Sequence, residues 1–270
     1  MKHLLAASFL VAIAQTGFAA DTKVINPLTD TGSWYDLRED LVGDQQLTDG
    51  AQLFEVDAPY RANDAATVPI VIKKIDLDAP PITSAMVVID ENPAPVAAEF
   101  EFGEAMEPLK FELRVRVNQY SNVRVIANTA EGRFMQGRYV KASGGCSAPA
   151  TKDPELALAL MGQMRLKHFD DAKPMSNQRR DAQIMIRHPN YSGLQRDQIT
   201  QLFIGAHFIH KMEVYQGDEM LFTMEGGISI SENPVFRFDY TDNGAPALRV
   251  RIEDTEGNVF EQSLSKAGQT

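Results

Sequence analysis

The chain has almost no cysteine: one, Cys146, in 270 residues. A lone thiol excludes a self-contained dithiol redox cycle, because such a cycle needs a second cysteine in the same chain. In an exported protein, an unpaired cysteine suggests intermolecular pairing or a reactive thiol. The alternative is a buried, inert cysteine that behaves as a small apolar residue.

Positive charge is also scarce. The chain has 26 Lys and Arg against 37 Asp and Glu, which gives a formal net charge of −11. Nucleic-acid binding relies on basic side chains that neutralise phosphates, so this balance argues against a nucleic-acid partner. An acidic surface suits a soluble protein that meets a basic partner.

Apolar runs long enough to cross a bilayer, about 20 residues, are missing as well. The apolar run Leu4–Ile13 follows Lys2 and His3 and precedes the small residues Ala19 and Ala20. This order is typical of a signal peptide, here residues 1–20, cleaved after Ala19 or Ala20. The mature protein is therefore predicted to be periplasmic and not inserted in the membrane. The alternative for this segment is a buried first helix.

Enzyme and cofactor motifs are absent too. The chain contains no G-x-S-x-G, P-loop, H-E-x-x-H or G-x-G-x-x-G sequence, and no pair of acids stands out as catalytic. His207 and His210 are three apart in a segment that reads as extended, so they are expected to face opposite sides. His188, before Pro189, is expected to be a turn or packing histidine. The sequence therefore predicts a protein without enzymatic activity, cofactor or metal site.

What the chain does contain is a series of short strand candidates separated by turn residues. In Phe111–Val117, apolar and charged residues alternate without a break, as in a half-buried antiparallel strand. Regularly spaced short strands favour a β-sandwich. The other candidates are Thr67–Ile72, Met86–Ile89, Val123–Ile126, Arg133–Val140, Ala182–Ile186, Phe208–Tyr215, Met220–Met224, Val235–Tyr240, Ala247–Ile252 and Val259–Leu264.

Two helices are predicted among these strands. Trp34–Asp44 has apolar residues at helical spacing. After the small, polar stretch 141–152, Asp153 and Pro154 are suited to open a second helix, which is expected to run to about Phe169. A faint repeat places Asp90–Pro93 in the first half and Ser231–Pro234 in the second, although four residues can recur by chance.

Cys146 lies in the polar stretch between the two series of strands. Gly144 and Gly145 remove side-chain bulk beside it, which makes the sulfur reachable by another protein. The glycines do little to lower the pKa of the thiol, whose ordinary value is near ~8.5, and the two lysines of the stretch, Lys141 and Lys152, lie at its ends. An accessible but poorly activated thiol suits a passive covalent carrier better than an enzyme nucleophile.

Two ordered sets of residues carry a family resemblance. The first set is Val68-Pro69-Ile70, Asn92-Pro93-x-Pro95 leading to Phe100, the region Val115–Val125, and Gly144-Gly145-Cys146. The second set is His188-Pro189, Gly193, Asp197, Phe208–Gly217 and Ser229–Phe236. With these residues, the first half resembles SoxY, the sulfur-carrying subunit of bacterial thiosulfate oxidation, and the second half resembles its partner SoxZ. The arrangement in one chain is similar to fused SoxYZ-like carriers associated with quinoprotein dehydrogenases.

The resemblance implies an all-β fold of two immunoglobulin-like β-sandwiches joined by a linker with a short helix. The expected boundaries are 21–143 for the SoxY-like domain, 144–180 for the Cys-bearing loop, helix and linker, and 181–270 for the SoxZ-like domain. It also implies that Cys146 is the covalent carrier residue and that Gly144 and Gly145 form its flexible arm.

The chain departs from the family on the C-terminal side of the cysteine. Ser147-Ala148-Pro149 replaces trailing glycines and a whole domain comes next, so the arm is expected to be tethered at both ends. The implied partners are periplasmic enzymes of a sulfur-oxidising or quinoprotein dehydrogenase system. Two other functions remain open: a binding or scaffold module with an incidental thiol, and a thiol-based redox sensor.

Overall fold

The computed structural model describes residues 32–149, 154–169 and 178–267. The predicted signal peptide, 1–20, and the predicted helix-opening Asp153 lie outside these residues. Among the described residues, no helix has the length and apolar character needed to cross a membrane.

Residues 32–149 form one α-helix and eight strands. The predicted first helix and strands are confirmed, whereas β1, β2 and β5 were not predicted from the pattern of residues. The elements are α1 (Trp34–Val42), β1 (Leu47–Asp49), β2 (Phe54–Asp57), β3 (Val68–Lys74), β4 (Ser84–Ile89), β5 (Val96–Phe102), β6 (Lys110–Val115), β7 (Ser121–Thr129) and β8 (Gly132–Val140), with a 3₁₀ turn at Glu104–Met106.

The described residues from 154 onward form a short helix and seven strands. The elements are α2 (Pro154–Ala159), β9 (Met164–His168), β10 (Gln178–Ile186), β11 (Ile209–Gln216), β12 (Glu219–Gly226), β13 (Val235–Asp242), β14 (Ala247–Asp254) and β15 (Val259–Ser265). Along β13 and β14, buried and half-buried side chains alternate, as a sheet with one face on the core requires.

These strands form two sheets, and each sheet contains strands from both halves of the chain. The larger sheet has the order β1-β8-β7-β4-β5-β12-β11-β14-β15, and the smaller has the order β2-β3-β6-β13-β10-β9. The predicted all-β fold of two immunoglobulin-like β-sandwiches with a short helix in the linker region is confirmed. The sheets also continue from one half into the other, through the antiparallel pairs β5–β12 and β6–β13.

A cluster of phenylalanines fills the core where the two halves join. The Phe111 ring lies 4.9 Å from the Phe100 ring in its own half and 5.1 Å from the Phe222 ring in the other half, both edge to face. Phe236 and Phe238 complete the cluster from the second half. Aromatic packing across the junction gives the two halves one continuous core.

The second predicted helix is wrong over its later part. The helix ends at Ala159, Gly162 adopts a positive φ of 81°, and Met164–His168 is an edge strand paired with β10. The apolar side chains that suggested a long helix serve different elements, because Leu156 is exposed whereas Met164 is buried. Backbone pairing with β10 outweighs the local helical pattern.

Candidate functional site

Cys146 lies in a turn after β8, between the two halves of the molecule. It is a free cysteine with 0% of its surface exposed. The expectation of a reachable sulfur is therefore wrong for this conformation. The folded protein covers the thiol completely, which the local sequence could not indicate.

The two glycines before Cys146 are docked by main-chain hydrogen bonds. Gly144 N–H donates to the Asn118 carbonyl at 2.8 Å, and Gly145 N–H donates to the Val117 carbonyl at 3.1 Å. A Cβ at Gly145 would lie 2.1 Å from the Ala65 carbonyl oxygen, so no other residue fits there. The predicted flexible arm is therefore a packed turn in this structure, and Gly145 is required for close approach rather than for freedom.

A loop of the second half, 192–195, binds the cysteine-bearing turn from the other side and is called the clasping loop below. The Ser192 hydroxyl donates to the Cys146 carbonyl oxygen at 2.5 Å, and the Gln195 side-chain amide donates to the Ala148 carbonyl at 2.9 Å. Both Ser192 and Gln195 are buried. Contacts from both halves thus hold the cysteine-bearing turn closed.

Arg116 is the charged residue of this site. It is 1% exposed, and its Nη1 donates to the carbonyl oxygens of Ile228 at 3.1 Å and Ile230 at 2.5 Å. Its buried Nε has no hydrogen-bond partner. An isolated buried charge is costly, so a guanidinium held in this way is unusual.

Burial and charge act against each other on Cys146 and Arg116. Burial raises the pKa of the Cys146 thiol, and the positive charge of Arg116 partly opposes that effect. Burial lowers the pKa of the Arg116 guanidinium, while Cys146 and Glu232 act to raise it. In the closed turn the neutral thiol is therefore favoured over the thiolate.

Asn92 and Ser229 connect the halves behind Arg116. The Asn92 amide donates to the Arg116 carbonyl at 2.7 Å and to the Ser229 hydroxyl at 2.9 Å, and its oxygen accepts from Asn118 N–H at 2.8 Å. In the second half, the Asn233 side-chain oxygen accepts from His188 N–H at 3.3 Å. The faint sequence repeat thus corresponds to an asparagine that holds a main-chain N–H just after a strand in each half.

Three titratable residues converge near the clasping loop. Asp254 Oδ2 lies 3.3 Å from His188 Nε2 and 2.8 Å from His207 Nε2, and Asp254 and His188 are fully buried. Together they are the right residue types for a metal ion. The expected separation of His207 from His210 does hold, because His210 lies near Glu253 instead.

The hydrogen bonds of His188 decide between a metal and a proton at this cluster. His188 Nδ1 accepts from Asn190 N–H at 3.0 Å, so the proton of a neutral ring sits on Nε2 and faces Asp254. A metal-bound histidine instead donates its second nitrogen to an acceptor. The three residues therefore fit a hydrogen-bonded network, and His188 is the buried turn histidine that the sequence predicts.

Sequence reasoning missed Arg116, Ser192 and Gln195. By alternation Arg116 should face solvent like Arg114, but β6 ends at Val115 and residues 228–230 cover the next side chain. One local signal was present: Arg116 lies between two valines in an apolar stretch. For Ser192 and Gln195 no local signal exists, because their partners lie 46 and 47 residues away.

Two family models match this chain. Sulfur oxidation protein SoxY matches residues 38–146, so its match ends at Cys146, and sulphur oxidation protein SoxZ matches residues 169–265. No curated protein matches the chain.

Two solved structures are similar to parts of the fold. The sulfur carrier protein SoxY from Chlorobium limicola f thiosulfatophilum is 22% identical, with a TM-score of 0.34 and coverage of 40% of this chain and 89% of that one. The BSP domain of a biofilm associated protein is 8% identical, with a TM-score of 0.27 and coverage of 87% and 32% respectively.

Proposed function

Because the chain is a fused SoxYZ-like protein, with a SoxY domain and a SoxZ domain in one polypeptide, we propose that it is a covalent carrier that holds a sulfur-linked intermediate on Cys146. SoxY and SoxZ are sulfur-oxidation carrier families rather than enzymes. The observation that carries the proposal is the place of Cys146: it is the only thiol of the chain and the last residue of the SoxY match.

Loading by sulfur exchange needs no external oxidant. The Cys146 sulfur attacks the outer sulfur of a donor persulfide, donor–S–S⁻, and a new S–S bond forms on Cys146. The S–S bond of the donor breaks, its electron pair leaves with the donor thiolate, and Cys146 carries the perthiolate –S–S⁻. Because exchange requires the thiolate and a free line of attack, the turn must open before loading.

The surface beside the turn supports contact with a partner enzyme. The loop that supplies Gln195 continues into exposed apolar side chains: Ile199 is 91% exposed, Leu202 70% and Phe203 62%. Exposed apolar side chains grouped beside a functional group are a feature of interaction sites. A partner that binds this loop is placed next to the turn it has to open.

We place this carrier in the periplasm, serving a sulfur-oxidising or quinoprotein dehydrogenase system. The signal-peptide pattern of residues 1–20 supports export, and the fused arrangement resembles carriers of the quinoprotein-associated type. Expression with a C-terminal reporter and cell fractionation tests the location. Retention of the full-length chain in the cytoplasm would contradict it.

The test of the carrier role is the intact mass of the protein purified from its native cell during growth on a reduced sulfur compound. We expect a sulfur-containing adduct that is removed by a reductant and is missing from Cys146→Ser. Cys146→Ser should keep the fold and the partner contacts but lose function. A bare thiol under all conditions would contradict the proposal.

The burial of Cys146 favours a second function, a scaffold whose two sandwiches bind a partner while the thiol plays no part. In that case Cys146→Ser retains cellular function. The same variant thus separates the two functions.

A further inference from the structure

We propose that Arg116 is the anion-recognition residue of the Cys146 site and that it selects sulfur cargo that carries a negative charge. This inference rests on the proposed carrier function and adds the chemical class of the cargo. The presence of a buried guanidinium in this site is not explained by the cysteine alone.

The side chain of Arg116 has an incomplete set of hydrogen-bond partners. One nitrogen, Nη1, makes both of the side chain's hydrogen bonds to Ile228 and Ile230, and the buried Nε makes none. Main-chain carbonyls orient a guanidinium but do not neutralise it. Glu232 contributes negative charge at a half-buried position, so it faces solvent as well. Arg116 therefore retains donor capacity and positive charge inside the protein.

Arg116 and Cys146 lie close to each other in the fold. The carbonyl of Val117 accepts the Gly145 N–H, so Arg116 and Cys146 are the residues adjacent to the two ends of one main-chain hydrogen bond. Both side chains are buried in the same region, and the charge of Arg116 acts on the thiol. A group attached to the sulfur of Cys146 is therefore exposed to the electrostatic field of this guanidinium.

The charge of the cargo decides how well it complements Arg116. The unloaded thiol is neutral in the closed turn and leaves Arg116 without a full counter-charge. A cargo that ends in a sulfonate or a perthiolate stays negative at neutral pH, and a sulfonate offers oxygen acceptors that match the donors of a guanidinium. A neutral cargo offers neither. The site therefore distinguishes cargoes by charge.

Two reagents that load the thiol by the same S–S exchange test this selection. Tetrathionate gives Cys146–S–S–SO₃⁻: the thiol sulfur bonds to an inner sulfur, the central S–S bond breaks, and thiosulfate leaves with the electron pair while a proton goes to solvent. Methyl methanethiosulfonate gives neutral Cys146–S–S–CH₃ and releases methanesulfinate and a proton. Opening of the turn affects both rates equally, so their ratio reports charge recognition.

The experiment compares this ratio in the full chain with the ratio in three variants. For Arg116→Met we expect the tetrathionate rate relative to the neutral reagent to fall by about tenfold, the effect of one lost charge-assisted hydrogen bond. Arg116→Lys should retain most of the ratio. Arg114→Met is the matched control: Arg114 lies two residues before Arg116, near the end of β6, is exposed, and its substitution removes the same charge. An equal fall in Arg114→Met, or none in Arg116→Met, overturns the proposal.

A measurement on the unsubstituted protein keeps the test valid if Arg116→Met does not fold. The protein loaded with –S–SO₃⁻ should unfold at a higher temperature than the protein loaded with –S–CH₃. Equal or reversed temperatures overturn the proposal.

The outcome is also separable from that of the carrier role, because loading is done chemically. A bare thiol in the native cell with a charge-selective ratio contradicts the carrier function alone. A native adduct with an unselective ratio contradicts Arg116 alone.

Discussion

The hydroxyl of Ser192 donates a 2.5 Å hydrogen bond to the carbonyl oxygen of Cys146, and both residues are buried. One residue belongs to the SoxZ domain and the other ends the SoxY match. The SoxZ domain thus holds the main chain of the turn on which the SoxY domain carries its buried thiol, and we expect these contacts to limit access to Cys146.

Ser192→Ala should make the Cys146 thiol more reactive. The substitution removes one hydrogen bond of the closed turn, worth about 1 kcal/mol, so the open fraction should rise about fivefold. The measurement is the rate of Cys146 modification by a neutral thiol reagent at fixed pH. Ser263→Ala, an exposed serine on the edge strand β15, is the control and should leave the rate unchanged. An unchanged rate in Ser192→Ala would show that the clasp does not limit access.

Gly145→Ala should prevent the turn from docking. The added methyl would overlap the Ala65 carbonyl, and main chain cannot give way as a flexible side chain can. We expect a loss of about 1–3 kcal/mol in the free energy of unfolding, together with faster thiol modification. Gly205→Ala, where a Cβ meets no atom within 4 Å, should change neither quantity. Wild-type stability in Gly145→Ala would mean that the turn is open in solution.

Stability should fall as the pH is lowered, through His188 and Asp254. Burial lowers the pKa of His188, although the hydrogen bond that His188 donates to Asp254 acts to raise it, so below about pH 6.5 the unfolded chain takes up a proton that the folded chain does not. Burial alone would raise the pKa of Asp254, but hydrogen bonds from Asn258, His207 and His188 lower it to about 2. The shift contributes about 2 kcal/mol to the free energy of unfolding. This contribution is fully present above pH 3.8 and is lost as the pH falls from 3.8 to about 2.

Chemical unfolding at a series of pH values measures both steps. His188→Gln should flatten the decline that begins near pH 6.5, because the titrating group is gone. His210→Gln, which removes a half-buried histidine outside this cluster, should keep that decline. Asp254→Asn should remove the step below pH 3.8. The same decline in His188→Gln as in the unsubstituted protein would assign it to another group.

Phe111→Ala should destabilise both halves of the molecule together. The ring is fully buried among phenylalanines of both halves, and its loss should cost about 3–5 kcal/mol. Because the sheets and the core are continuous, one thermal transition should move to lower temperature. Phe203→Ala, at an exposed ring, serves as the control. Two separate transitions, with one unmoved, would show that the domains unfold independently.

The strands were largely predictable because alternation is a local property. In Phe111–Val117, for example, the alternation of apolar and charged residues identifies the buried face within seven residues, and β6 includes most of this segment. The second helix was mispredicted because its pattern of leucines is equally local, whereas the pairing of Met164–His168 with β10 depends on residues brought together by folding. Edge strands such as β9 and short strands such as β1 form because of the strands that they pair with in the sheet, which the local sequence does not reveal.

By itself, the sequence determined that this protein has one thiol, that its strands form sandwiches, and that Cys146 lies between the two series of strands. Composition and periodicity suffice for these properties. Only the tertiary structure decided that Cys146 is buried, that Gly145 is a contact point and that Arg116 shares its site. These features depend on hydrogen bonds and packing between segments far apart in the chain, such as Cys146 with Ser192 and Arg116 with Ile230. Their energies do not appear in any local pattern of residues.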